Sequence, residues 1–333
     1  MRCFVIAPVT MVEIWRGGLL ESFHQGHAVI ADASGNIVDA WGDPDAVTYP
    51  RSSSKMIQAL PLISSGAADR YGLNGEHLAL ACASHNGAHI HTDRVGNWLE
   101  QLGLDDSALR CGTQIPDDDD ARFELIRQKC APVQMHNNCS GKHSGFLTLA
   151  QYMGAGPEYI EIDHPVQQAA LAAFEEVTGE SSQGYGIDGC SAPNFSTTMA
   201  GMARAMAWFA SAQDRNDLQS QAAARLVQAM GQFPELVAGE GRCCTALIRA
   251  AGGKIAVKTG AEGFFVAILP EQRLGIALKI ADGAGRASEC AITALLVRLG
   301  VFEADNPIVQ SYANAPILNR RGIQTGEMRA VIG

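Results

Sequence analysis

Between Val9 and Arg16 apolar and polar residues alternate weakly, and HQGHAVIADASGNIVDAWGDP (24–44) carries two apolar runs around Asp32–Asn36. Alternation interrupted by a Ser-Gly turn predicts strands and a hairpin. The period then changes. Asp163–Pro165 reads as a helix start, an N-capping acid followed by proline in the first turn, and QQAALAAFEEV continues with apolar residues at helical spacing. MAGMARAMAWFASAQ (199–213) and LQSQAAARLVQAM (218–230) keep that period, and their Met and Ala content reads as core packing. Strands return in GGKIAVKTGAEGFFVAILPEQRLGIALKIADG (252–283), with Pro270–Leu274 as the hairpin turn. A helix is predicted near 286–299 and a final strand with glycine breaks over 317–331. The run DDDD (117–120) predicts a solvated loop or a helix start, since adjacent carboxylates do not face one point.

Strands thus lie at both ends of the chain and helices in the middle. This predicts an α/β fold: a mostly antiparallel sheet subdomain from 1–50 and 240–333, flanked by helices, and a largely helical insertion, 51–239, forming one catalytic unit. The 333 residues can bury a large core, and 47% hydrophobic with 18% charged residues is ordinary for a globular chain. A net charge of −10 argues against nucleic-acid binding, which needs a basic face. No apolar run reaches the roughly 20 residues that span a bilayer. The amino terminus, MRCFVIAPVTMVEIWRGG, shows no clear cleavage site, so no signal peptide is read there. Nine cysteines, an odd number in a large chain, fit a reducing cytoplasm better than a disulfide framework.

Candidate chemistry begins at YPRSSSKMIQAL (49–60). Ser52 and Lys55 stand at i and i+3, and Met56, Ala59, Leu60 and Ile63 recur at helical spacing after Pro50. A helix starting near Ser52 places the pair on one face, with Ser52 at the electropositive N-terminus. A lysine one turn away can act as base for a serine when burial and a neighbouring cation such as Arg51 lower its pKa. Alone, S-x-x-K is a capping serine beside a surface lysine. The chain also carries VKTGAEG (257–263) entering a strand, and S-x-x-K followed by K-T-G is the signature of penicillin-recognising serine enzymes. LALACASHNGAHIHTDR (78–94) offers Ser84, either as part of a polar helix end or as a second serine paired with Lys258.

RSSSKMIQ (51–58), CASHNG (82–87), NCSGKHSG (138–145), DGCSAP (188–193), VAGEGRCCT (237–245), KTGAEG (258–263) and KIADG (279–283), in this order, resemble the rhizobial-type, class 3 L-asparaginases over essentially the whole chain. The resemblance implies a fold similar to serine β-lactamases and glutaminases, and hydrolysis of L-asparagine to L-aspartate and ammonia. It implies that Ser52 with Lys55 and Ser84 with Lys258 are catalytic pairs; the resemblance leaves open which serine is acylated, and Ser52 is expected because it is placed at the helix N-terminus. It further implies a zinc ion on Cys139, Lys142 and Cys190, orienting the substrate rather than activating water. Without the resemblance these three read as buried thiols near a lysine. Arg51, His143 and Asp188 fall inside the motifs and are expected to line the substrate, Asp188 as the natural ammonium partner or a residue that orients a ligand, and His143 as a carboxylate partner or a support behind the ligands. Glu240 and Arg242 are weaker candidates, with a structural ion pair as the plainer reading. A homodimer is expected by family analogy. Ser53, Ser54 and Met56 stand where some members carry small residues and proline, which bears on substrate preference.

Two other functions fit parts of this pattern. A penicillin-binding-like peptidase, esterase or β-lactamase shares the serine–lysine motifs, but such enzymes usually work outside the cytoplasm. A non-catalytic amino-acid-binding protein would be expected to lack a motif residue, and Ser52, Lys55, Ser84 and Lys258 are all present. A glutaminase is the nearest rival, because one methylene is worth only about 1–3 kcal/mol of discrimination.

Overall fold

The long strand Leu19–Asp32 organises the sheet. Its first half pairs with Val9–Arg16, and its second half is flanked by Ile37–Trp41 and Leu274–Ile280, all antiparallel. The computed structural model describes residues 7–332; Cys3 and the MRCFVI stretch lie outside the described residues. The eight strands run in the order Pro316–Leu318, Gln324–Ala330, Val9–Arg16, Leu19–Asp32, Leu274–Ile280, Phe264–Leu269 and Ala256–Thr259, with Ile37–Trp41 added beside Leu19–Asp32. Every described pairing is antiparallel. All six residues of Phe264–Leu269 are buried, which explains why that segment is a continuous apolar run rather than an alternating one. The expected strand 317–331 is two strands joined at Asn319–Gly322, where the Asn319 side chain accepts from the Arg321 and Ile323 N–H groups. Asparagine is suited to such a turn because its side chain bonds its own downstream backbone.

The chain forms two compact units. One comprises Met1–Ser53, Thr197–Ala210 and Ala246–Gly333; the other comprises Ser54–Ser196 and Ser211–Thr245. The sheet unit therefore includes helix Met199–Ala210, which sequence period alone assigned to the helical region. The contact is close: a Cβ at Gly275 would lie 2.1 Å from the Ala207 nitrogen and 2.5 Å from the Ala203 oxygen. Small residues one helical turn apart let the helix rest directly on the strand. Gly275→Ala is expected to destabilise the fold by about 1–3 kcal/mol or more through overpacking. Urea denaturation checks this, and an unchanged midpoint would mean that the helix can lift away freely.

In the other unit, residues 140–150 of helix Ser140–Met153 are all buried. Helix Pro165–Thr178 starts as expected, but its N-cap is His164, whose side chain accepts from the Val166 N–H. Asp118 caps helix Asp119–Gln128, so the acidic run is a helix start. Among the described residues no helix is long and apolar enough to cross a membrane. Of the eight described cysteines only Cys130 is exposed.

Candidate active site

The serine-rich segment does not begin as an α-helix. Arg51–Ser54 forms a 3-10 turn, and the α-helical stretch Lys55–Gln58 follows it. Arg51 enters that turn with φ of 53°, a left-handed conformation that is costly for a residue with a side chain. Ser52 thus lies within the tighter turn rather than at an α-helix N-terminus, and it is half-buried.

Within the sheet unit, the K-T-G strand comes up against this turn. Ser53 Oγ approaches the Lys258 carbonyl at 3.5 Å, and the Ser53 N–H donates to Pro50 O at 3.1 Å. A Cβ on Gly260 would stand 2.6 Å from both Pro50 O and Ser53 Oγ. Glycine at the third position of K-T-G is therefore what allows the approach. Lys258 is fully buried and its Nζ donates to Thr259 O at 2.7 Å.

Within the helical unit, Lys55 is 1% exposed. Its Nζ donates to Ala83 O at 2.5 Å and to Ser84 Oγ at 2.9 Å. The structure thus brings Lys55 and Ser84 into direct contact, a pairing that i, i+3 spacing did not point to. Ser84 follows helix Gly75–Ala81, and its N–H is held by Val237 O at 2.9 Å. The next residue, His85, is fully buried. Its Nδ1 accepts from the Gly87 N–H at 3.2 Å, leaving Nε2–H to donate to Ser140 Oγ at 2.9 Å. Burial, then the charges of His91 and Lys55, hold the imidazole well below its usual pKa. A neutral His85 ties the Ser84 segment to helix Ser140–Met153.

That helix carries Lys142 and His143, and Cys139 stands at its N-cap position without a side-chain cap bond. Lys142 Nζ lies 3.1 Å from Cys190 Sγ, both buried. The Cys139 S–H donates to Asn138 Oδ1 at 2.8 Å; the neighbouring Cys190, with burial, pushes the Cys139 thiol up, while Cys139, Lys142 and His143 hold Cys190 well below its ordinary range against burial. Burial works to lower the pKa of Lys142, but Cys190, Cys139 and Asp188 outweigh it and the net shift is upward. His143 is lowered by burial, partly offset by Cys190. Its Nδ1 lies 2.9 Å from Tyr159 Oη, and its Nε2 is buried with no hydrogen-bond partner.

Among the described residues no cluster of three or more His, Cys, Asp or Glu side chains stands ready for a metal. Two thiols and a lysine amine converge instead, and an orphaned imidazole nitrogen lies on the residue beside that lysine. Two sulfur donors with a nitrogen suit zinc, provided the amine gives up its proton, and the buried unpartnered His143 Nε2 is a further nitrogen donor on the neighbouring residue. The residues present therefore fit such an ion. Asp188 is half-buried, and one of its carboxylate oxygens accepts from the Gly189 N–H at 2.7 Å.

Sequence reasoning missed Tyr159. It is fully buried, meets His143 through its hydroxyl, and accepts from the Arg110 N–H at 2.7 Å. Its surroundings, GPEYIEID, read as a polar loop and carry no periodic or motif signal.

The L-asparaginase II family matches this chain over residues 12–330. No curated protein matches it. Among solved structures, Mglu in its tris and glutamate form is 13% identical, with a TM-score of 0.48, covering 91% of this chain and 65% of its own. A beta-lactamase from Mycobacterium bovis is 13% identical with a TM-score of 0.43, covering 83% of this chain and 95% of its own. The chain spans about two thirds of the length of Mglu.

Proposed function

This chain belongs to the L-asparaginase II family of amidohydrolases, and we propose that it hydrolyses L-asparagine to L-aspartate and ammonia through a serine acyl-enzyme, as a cytoplasmic homodimer. The observation that carries the mechanism is the buried Lys55 amine held on Ser84 Oγ at 2.9 Å. An amine within hydrogen-bond reach of a hydroxyl is placed to exchange a proton with it.

In this reading Ser52 attacks the side-chain amide carbon. Lys55 takes the hydroxyl proton, Ser84 relays it, and the proton passes to the leaving nitrogen, which departs as ammonia. The aspartyl ester on Ser52 is then cleaved by water, with Lys55 or Lys258 receiving the water proton. Atoms balance: one C–N bond breaks, one ester forms, and water later replaces the serine oxygen. Arg51 and His143 line the substrate, and Asp188 receives the α-ammonium. A second reading, in which Ser84 itself carries the acyl group, is favoured by its direct contact with Lys55.

Cys139, Lys142 and Cys190 would hold zinc. A bound zinc supplies a fixed positive centre that orients the amino-acid substrate. His143, packed against Tyr159, stiffens the wall beside those ligands.

Ammonia release from L-asparagine, with L-glutamine and the β-lactam nitrocefin in parallel, tests the assignment. Release from asparagine is expected. Silence on both amides with nitrocefin cleavage would move the chain to the penicillin-binding-like alternative, and faster release from glutamine would make it a glutaminase.

A further inference from the structure

The loop 237–242 does more than close the helical unit. Val237 O holds the Ser84 N–H, and Gly239, at φ of 112°, lies so close to Asn86 that a Cβ there would fall 2.5 Å from its side-chain oxygen. Gly239 O in turn accepts from the Thr245 hydroxyl at 2.7 Å and from the Arg242 N–H at 3.4 Å. Segments 84–87 and 237–242 are therefore locked together, and Arg242 is carried on the same scaffold as Ser84.

The Arg242 side chain is half-buried, yet its guanidinium forms no hydrogen bond among the described residues. Its one charged contact there is Asp117, at 3.9 Å, and Asp117 is largely exposed. An ion pair that long between partly exposed groups holds little. The positive charge of Arg242 is nevertheless near enough to act on the buried His85 ring, next to Ser84. A planar fork of five N–H donors, fixed by its loop and left unused, is built for a carboxylate.

We propose that Arg242 binds the α-carboxylate of the amino-acid substrate, presenting the side-chain amide to the serine–lysine machinery beside Ser84. Arg242 is then a specificity residue: it separates an amino-acid amide from a plain carboxamide. The proposal rests on the amidohydrolase reading above and deepens it. The plainer role, a surface ion pair with Asp117, makes a different prediction.

The test compares wild type with Arg242→Gln and Arg242→Lys in ammonia release from L-asparagine. Inhibition of each by L-aspartate and by β-alanine, which lacks the α-carboxylate, is measured alongside. For Arg242→Gln, KM for asparagine and the L-aspartate inhibition constant are expected to rise about 10- to 100-fold, the loss of a charged hydrogen-bonded pair. The turnover number should be nearly held, β-alanine should inhibit all three proteins alike, and Arg242→Lys should recover part of the affinity. An unchanged KM, or parallel weakening of L-aspartate and β-alanine, overturns the carboxylate role while leaving the amidohydrolase reading in place. A wild-type enzyme silent on asparagine overturns both. Equal thermal midpoints of the three proteins confirm that the loop is intact.

Discussion

Lys55→Met is expected to reduce ammonia release from L-asparagine by at least about a thousandfold, the upper range for loss of a positioned base. Methionine keeps the length and apolar character of the lysine stem, so the change removes the amine and little else. Ala83 O and Ser84 Oγ lose the donor they share at 2.5 and 2.9 Å. That costs about 1–3 kcal/mol of stability for the buried groups left behind, too little to unfold a domain of this size. The measurement is kcat/KM together with a thermal melt. A folded variant that keeps a tenth of wild-type activity would remove Lys55 from the proton path. A structural lysine would give the opposite pattern, a large stability loss with little effect on turnover.

Metal removal should act on affinity rather than on the chemical step. Protein purified without chelator is expected to contain close to one zinc per chain. After chelation, KM for asparagine should rise about tenfold or more while kcat falls far less, the pattern of an interaction made equally in the ground and transition states. The reason is local. The proposed ligands Cys139, Lys142 and Cys190 sit on and beside helix Ser140–Met153, and the proposed nucleophile, Ser52, is not among them. Lys142 Nζ stands 3.1 Å from Cys190 Sγ, so these two buried groups remain partners without the ion. Metal analysis and steady-state kinetics check this. Metal-free protein with unaltered KM would make the cluster a buried thiolate–ammonium pair only.

Much of the sheet could be read from hydrophobic period. Val9–Arg16, the hairpin on either side of Asp32–Asn36 and the paired strands on either side of Pro270–Arg273 announce themselves through alternation, continuous apolar runs and turn residues. Helix Met199–Ala210 was equally plain as a helix, but not its membership in the sheet unit. That depends on a glycine at 275 meeting Ala203 and Ala207, a tertiary fit no local pattern encodes. The N-cap moved from Asp163 to His164 because Pro165 fixes the first helical position, and whichever residue precedes it must cap.

Candidate residue types could be read from the sequence, their contacts only in part. Motif spacing and the family resemblance singled out Ser52, Lys55, Ser84 and Lys258 as candidates. Ser52 lies in the 3-10 turn Arg51–Ser54, and the Lys55 amine reaches a serine 29 positions away. Spacing along a chain cannot report such a contact. Tyr159 escaped for the same reason: its role arises from what it touches.

The most direct test of the central claim is ammonia release from L-asparagine by wild type, Ser52→Ala and Ser84→Ala, with the quenched reactions examined by peptide mass spectrometry. The account predicts rapid release by wild type, none by Ser52→Ala, slow release by Ser84→Ala, and an aspartyl group on the peptide containing Ser52. Near-wild-type release by Ser52→Ala, with the aspartyl group on the Ser84 peptide, would contradict it.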